Sequence, residues 1–214
     1  MGAATIDRGR PNLLMDHLQL GLRNGDPRPG SVGGADAPVA APHFYLSLYV
    51  IPWSRDLGAG HVALLRHRWP GGRTEDMTLT DNPSLARAHQ ANLRSVGYSR
   101  VDLTAEPRSA SFGRNPLPEQ DRIRYLISAP GVDVEARWDD LGEALFTHGP
   151  APQRPESQRI WSVFFEAGSA SAAVNGVPVP GHAYAVESWV EWLGRPLHSA
   201  HVARSEILVD NEPG

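Results

Sequence analysis

The chain has 214 residues and a net charge of −4; it contains no cysteine, and all twenty positions in its Lys+Arg count are arginine. These counts exclude thiol nucleophiles, disulfides and thiolate metal sites, and also the Schiff-base chemistry that requires a lysine. The negative charge argues against nucleic acid as the main partner. No apolar run approaches the roughly 18–20 residues that span a bilayer, so we expect a cytoplasmic protein without a membrane partner.

In chain order, residues 1–41 are predicted to form a flexible N-terminal extension, and residues 42–214 the main domain. Leu13, Leu14, Leu18 and Leu22 have the spacing of a short amphipathic helix within the extension. The stretch that follows, up to Pro42, is rich in Gly, Pro, Ala and Asp, which is typical of a linker.

The main domain is predicted to consist of short β-strands interrupted by one helix. The helix has Asn82 as its N-cap, Pro83 at its first position and Gly97 just past its end. Leu85, Ala88, Leu93 and Val96 are expected to form its buried face. The predicted strands are 44–51, 61–69, 74–79, 99–103, 109–112, 122–128, 132–138 and 160–174, with a long loop over 147–158.

The last third of the chain carries the strongest local signal. Asn175-Gly176 stands between two apolar runs, and this dipeptide favours a type I′ hairpin turn because both residues accept positive φ. Residues 177–189 are expected to form the return strand. Eight to ten strands and one helix indicate a mainly β fold, a single antiparallel β-barrel, with a two-sheet sandwich as the alternative.

Three residues are candidates for catalysis. Glu166 ends an aromatic strand, where burial would raise its pKa and make it a general acid; the alternative is a glutamate that points to water. His182 and Tyr184 share a face of the predicted return strand and could polarise a carbonyl or stabilise an enolate. Ordinary half-buried polar side chains are the alternative for both.

Aromatic side chains on the predicted strands are candidates for ligand binding: Tyr45, Tyr49, Trp69, Trp161, Phe164 and Trp189. Trp189 and Trp192 are expected to form a short helix or a lid over the barrel mouth, and a structural plug is the favoured alternative. Convergence of His61, His67, His198 and His201 would create a metal site, but no recognisable metal motif requires it. We therefore predict no metal and no cofactor.

Two segments resemble the lipocalin-like superfamily that includes carotenoid hydratases and natural-product cyclases of Diels–Alderase type. The first is HFYLSLYVIPW at 43–53, and the second is 166–189, with NGVPVPGHAY and the Ser188-Trp189 pair. Glu187 stands where the family has a histidine. The resemblance implies a lipocalin-like barrel and an apolar ligand.

The leading hypothesis is a cofactor-independent cyclase, isomerase or hydratase of secondary metabolism, acting on a polyketide- or polyene-like substrate in an enclosed barrel pocket. A non-catalytic carrier with the same pocket is the second hypothesis. The third is an interaction module that docks a partner through the leucine segment or the Trp189/Trp192 region. The expected partner is an apolar small molecule, and a homodimer is left open.

Overall fold

The computed structural model describes residues 10–24, 42–115, 122–150 and 158–209. Its first half contains β1 Arg10–Leu22, β2 Phe44–Ser54, β3 Gly60–Arg68, β4 Thr74–Thr80, α1 Pro83–Ser95, β5 Arg108–Ser109, β6 Ser111–Asn115 and β7 Ile123–Ala129. Its second half contains β8 Val132–Leu141, β9 Leu145–Pro150, β10 Gln158–Val174, β11 Val177–Pro178, β12 Ala185–Val186, a 3₁₀ turn Glu187–Trp189, α2 Val190–Leu193, β13 Leu197–His198 and β14 Ala200–Val209. Neither of these helices is long and apolar enough to cross a membrane.

The fold is mainly β and has the predicted barrel shape rather than that of a sandwich. The main sheet has the strand order β5-β4-β3-β2-β1-β14-β10-β8-β7-β6. Its two ends approach each other because β5 pairs with β4, while β6, one residue further along the chain, pairs with β7. The stacked rings of His61 and Phe112, 4.7 Å apart, also connect β3 to β6. The sheet is therefore nearly closed.

The 17-residue strand β10 belongs to two parts of the barrel. Its first half pairs with β14 on one side and β9 on the other. Its second half pairs with β8 and, through the Asn175-Gly176 turn, with β11. Both turn residues have positive φ, 51° and 75°, which confirms the predicted hairpin turn.

The helix predicted over Leu13–Leu22 is wrong, because this segment is strand β1 in the barrel wall. It pairs with β2 on one side and β14 on the other. Leu18, Leu20 and Leu22 alternate with polar residues and enter the barrel core, which is a period of two rather than a helical spacing. Residues 1–9 and 25–41 of the predicted extension lie outside the described residues.

Two other predicted strands do not form as expected. Residues 99–103 are a loop, in which Asp102 accepts hydrogen bonds from the backbone and side chain of Thr104, an Asx-turn that competes with strand pairing. The return strand after the hairpin ends at Pro178. Pro180 lacks a donor, Gly181 has φ of +111°, and the chain then crosses to a single bridge between Arg23 and His182.

Helix α1 begins and ends as predicted. The Asn82 side chain accepts a hydrogen bond from the Leu85 amide, and Gly97, at φ +70°, follows the C-cap. Leu85 and Leu93 are buried as predicted, whereas Ala88 and Val96 are only half-buried. The buried face also includes the polar residues His89 and Gln90. These polar residues on the buried face of α1 indicate that the helix covers a surface that is not purely apolar.

Strand alternation separates two cores. Inside the barrel, one cluster joins residues from β1, β2, β3, β4, β7, β8, β10 and β14. Trp138 is its largest member. It is fully buried, and its indole N–H donates to the main-chain carbonyl of Gln19 at 2.7 Å. The second core lies between the outer face of β1–β3 and α1. Among the described residues, side chains of this first cluster fill the barrel interior.

Candidate functional site

A cavity of about 390 Å³ lies on the outer face of the barrel wall, a volume within the usual range for small-molecule sites. We call it the lateral cavity. Its floor is formed by outward-facing side chains of β1, β2, β10 and β14. Its cover consists of the C-terminal end of α1, the loop 96–100 and the helical segment 187–193. It exists because the odd-numbered residues of β1 turn away from the barrel core toward α1.

Aromatic rings form much of the wall of the lateral cavity. The imidazole of His17 stacks on Tyr49, with ring centres 4.5 Å apart. Trp189 and Trp192 stack on each other at 5.7 Å, and both meet the ring of Phe164 edge-on. The predicted short helix of the tryptophan pair is therefore present, and it covers the lateral cavity. Such a wall suits a flat or extended apolar molecule.

Two neighbouring imidazoles remain neutral near pH 7: the half-buried His17, which lines the floor of the cavity, and the fully buried His201, which packs against His17. Burial, together with the neighbouring imidazoles of His201 and His89, holds the pKa of His17 well below its ordinary value. Burial lowers the pKa of His201 to about 4. The two rings meet edge-on at 5.6 Å. His201 Nδ1 donates to the His198 carbonyl at 2.7 Å, so its buried Nε2 carries the lone pair.

A chain of hydroxyl groups ends at Gln19, next to His17 on the floor. Tyr98 donates to the Tyr45 hydroxyl, which donates to Gln19 Oε1, each at 2.9 Å. Burial raises the pKa of both tyrosines, so they stay protonated as donors. Ser47 Oγ lies 2.8 Å from His17 Nε2. Within the described residues, Gln19 Nε2 and Trp192 Nε1 are buried donors without a protein acceptor.

Of the aromatic residues predicted to bind ligand, the structure brings Tyr49, Phe164 and Trp189 together in the lateral cavity. Tyr45 lies behind its floor and takes part through its hydroxyl group. Trp69 lies elsewhere, edge-on to His67 at 4.6 Å, with its indole N–H bonded to Glu75. Trp161 is 38% exposed and packs on His148 outside the cavity.

The predicted raised pKa of Glu166 is wrong. Burial alone would raise the pKa of this carboxyl group, but the Arg195 guanidinium and the His198 amide together outweigh burial and lower it. Arg195 forms an ion pair with Glu166, and the His198 N–H donates to it at 2.6 Å. Glu166 is therefore an ionised structural partner, rather than the proton donor that its aromatic neighbours indicated.

His182 and Tyr184 do not share a strand face, because the chain is irregular there. The backbone of His182 bonds to Arg23 in both directions. The Tyr184 ring lies 3.6 Å below the Arg23 guanidinium. Its buried hydroxyl finds no partner among the described residues and lies close above Gly21. Neither residue lines the lateral cavity.

The alternative of four converging histidines is also wrong. His61 bonds to Asp81 at 2.6 Å, and His67 packs between Phe44 and Trp69. His201 is fully buried against the rings of His17 and Phe164. Within the described segments, no group of three or more His, Asp or Glu side chains is arranged to hold a metal ion.

The main residues that sequence reasoning missed are His17, Gln19, Tyr98 and Arg100. A signal for the first two was present, since Leu18, Leu20 and Leu22 alternate as in a strand and place His17 and Gln19 on the opposite face. Tyr98 and Arg100 had no local signal, because they occupy an irregular loop that reaches the cavity only through tertiary packing.

The fold and the site together define a nearly closed β-barrel protein with a lateral aromatic cavity.

No protein-family model matches the chain, and no curated protein matches it. Among solved structures, it is similar to acetoacetate decarboxylase from Legionella pneumophila, with 11% sequence identity and a TM-score of 0.34. That match covers 94% of this chain and 86% of the other.

Acidification is expected to destabilise the protein through His201. Its folded pKa of about 4 lies below the ordinary 6.5, so the unfolded chain binds more protons between these values and stability falls as pH drops. Between pH 7 and pH 4.5 this one group should cost about 2 kcal/mol of unfolding free energy. Urea unfolding of the wild type and His201→Asn, which keeps a donor for the His198 carbonyl, measures the difference.

In that experiment His148→Asn is the matched control, since His148 is exposed on β9. The carboxylates titrate in all three proteins, so their contribution cancels in the comparison. Equal pH dependence of His201→Asn and the wild type would show that His201 is not held neutral in the folded protein.

Glu166→Gln is expected to lower the free energy of unfolding at pH 7 by about 1 kcal/mol, a value reduced because Arg195 is half exposed. The folded pKa of Glu166 is depressed, so its stabilisation exists above the ordinary 4.5 and is lost as pH falls through the folded pKa. Urea titrations at pH 7 and pH 3 should show the difference shrinking. If Glu166→Gln is as stable as the wild type but converts the ligand more slowly, Glu166 acts as a general acid.

Proposed function

We propose that this protein binds an apolar, polyketide- or polyene-like small molecule in the lateral cavity and, without a cofactor, catalyses its isomerisation, cyclisation or hydration. The observation that carries the proposal is the position of a neutral imidazole, His17, near the side chain of Gln19 on the floor of an aromatic cavity. The buried Nε2 of Gln19 has no acceptor among the described residues. A base next to a hydrogen-bond donor is the arrangement that proton transfer beside a carbonyl requires.

In this proposal His17 is the general base. When Nε2–H donates to Ser47 Oγ, the lone pair is on Nδ1, which accepts a proton from a carbon adjacent to a substrate carbonyl. The electron pair of the broken C–H bond moves to the carbonyl oxygen, and Gln19 Nε2 donates to the enolate. Return of the proton to another carbon completes an isomerisation. Attack of the enolate on a second carbonyl of the same molecule, whose oxygen takes the proton, completes a cyclisation.

The aromatic wall supports the rest of the proposal. Tyr49, Phe164 and the tryptophan pair limit the conformations of a flexible chain, and holding reacting atoms close together can supply several kcal/mol of barrier reduction. The substrate class rests on the resemblance of segments 43–53 and 166–189 to lipocalin-like cyclases and hydratases.

A carrier function is the second candidate, and one observation favours it. The strongly lowered pKa of His17 and His201 makes both imidazoles weak bases, as burial for binding alone would. The interaction module loses support, because Leu18 and Leu22 are buried in the barrel and the tryptophan pair packs on Phe164.

Native mass spectrometry of the protein isolated from its producing organism tests the proposal. We expect a retained organic mass that is lost in Ser99→Trp, which fills the cavity from its exposed cover, and kept in the matched surface variant Ser171→Trp. Conversion of that compound on incubation identifies an enzyme, and its recovery unchanged identifies a carrier. A ligand kept equally by both variants would contradict the lateral cavity, and a retained metal ion would contradict a cofactor-free reaction.

A further inference from the structure

The lateral cavity has an unbalanced charge. Its described lining residues include no Asp or Glu, and Arg100 is the one permanently charged side chain among them. Arg100 is half-buried, so its side chain is partly removed from water with no acidic side chain of the cavity beside it. A partly desolvated charge is stabilised by a partner of opposite charge that enters the cavity.

Arg100 differs from most arginines of this chain in its surroundings. Arg66 forms a two-pronged ion pair with Asp76, and Arg204 forms one with Asp16. Among the side chains that the structure describes, no carboxylate lies within ion-pair distance of Arg100. Its guanidinium makes one long hydrogen bond, 3.3 Å to Ser188 Oγ, and lies 5.8 Å over the ring of Tyr45.

We infer that the ligand of the lateral cavity carries a carboxylate that pairs with Arg100. This inference rests on the proposed function and narrows its substrate class from an apolar molecule to an apolar acid. A planar guanidinium matches a carboxylate through two parallel N–H···O bonds, which a long bond to one hydroxyl group leaves largely unused. The apolar body of the ligand then lies against Tyr49 and Phe164.

A ligand carboxylate bound at Arg100 would also affect the cover of the lateral cavity. Arg100 belongs to the loop 96–100 and its partner Ser188 to the segment 187–193, so their hydrogen bond joins two parts of the cover. A carboxylate bound at Arg100 lies within reach of Ser188 Oγ as well. An acidic ligand would therefore hold the two parts of the cover together.

Two probes of the same shape but different charge test the inference: 2-naphthoate and 2-naphthamide. Binding to the full-length protein is measured by calorimetry at pH 7.5, where the naphthoate is ionised and His17 is neutral. We expect the wild type to bind naphthoate roughly 10- to 100-fold more tightly than naphthamide, the range given by hydrogen bonds to a charged group. Arg100→Gln should abolish the preference and leave naphthamide binding unchanged.

Arg87→Gln is the matched control, since it removes an exposed arginine of α1 that pairs with Glu106 and does not line the cavity. It should keep the preference, which separates a local contact from the general effect of net charge. Thermal melting of each variant shows that it is folded. Equal binding of the two probes by the wild type would overturn the inference that the ligand carries a carboxylate. The lateral cavity would remain a binding site. Binding of neither probe would overturn the proposed function as well.

Discussion

His17→Gln is expected to slow conversion of the bound ligand by roughly 10²- to 10⁴-fold, the usual contribution of a general base. Glutamine keeps a polar group of similar size next to Ser47 but has no lone pair basic enough to accept a proton from carbon. Binding of the ligand should change little, because the aromatic wall remains. Single-turnover rates with the compound identified by mass spectrometry provide the measurement, and calorimetry provides the affinity.

The controls are the three residues that the sequence pattern favoured. Glu166→Gln, His182→Gln and Tyr184→Phe should all retain the wild-type rate, because Glu166 is paired with Arg195 and the other two lie outside the lateral cavity. The low pKa of His17 also predicts a rate that holds steady as pH falls from 7.5 to 6.5. An unchanged rate in His17→Gln, together with a large loss in Tyr184→Phe, would move the chemistry away from the cavity.

Trp138→Ala is expected to have the largest effect on stability, a loss of about 3–5 kcal/mol in the free energy of unfolding. The indole is fully buried in the barrel core, so its removal leaves a void that the surrounding strands cannot fill. The substitution also removes the indole N–H that donates to the main-chain carbonyl of Gln19 at 2.7 Å. Chemical unfolding monitored by far-ultraviolet circular dichroism measures the change.

Two further variants separate these contributions. Trp138→Phe retains most of the volume and removes the indole donor, so we expect a loss of about 1–2 kcal/mol. Trp53→Ala removes the same side chain from a position that is 44% exposed and should cost well under half as much as Trp138→Ala. Equal losses for the two tryptophan-to-alanine changes would show that the barrel interior is not a packed core.

The parts of the fold that the sequence predicts are those determined by neighbouring residues. The cap of α1 and the hairpin turn at Asn175-Gly176 depend on contacts within a few positions, and the strands of the 44–80 region pair with the strand that follows next along the chain. The prediction for β1 is wrong because its leucine spacing fits the period of a strand as well as that of a helix. The prediction for the return strand is wrong because Pro178 and Pro180 interrupt its regular pattern.

The candidate site is harder to predict than the fold, because partners distant in sequence determine its chemistry. The pKa of Glu166 depends on Arg195, which sequence position alone does not place nearby. His17, Tyr98 and Trp192 meet only because the barrel wall turns its outer face toward α1 and the segment 187–193. Tyr49, Phe164 and Trp189 were nevertheless predicted, since they are aromatic side chains on predicted strands or beside the predicted lid.

The pairing of β1 with β14 determines when the site can exist during synthesis. Asp16 and Arg204, which form an ion pair across these strands, are 188 residues apart in the chain. The hairpins of β2, β3 and β4 and the helix α1 involve short separations and can form while the chain is still emerging, but β1 must wait for β14. The floor of the lateral cavity is thus assembled last, so ligand retention by a nascent or truncated chain would report that the barrel wall is complete.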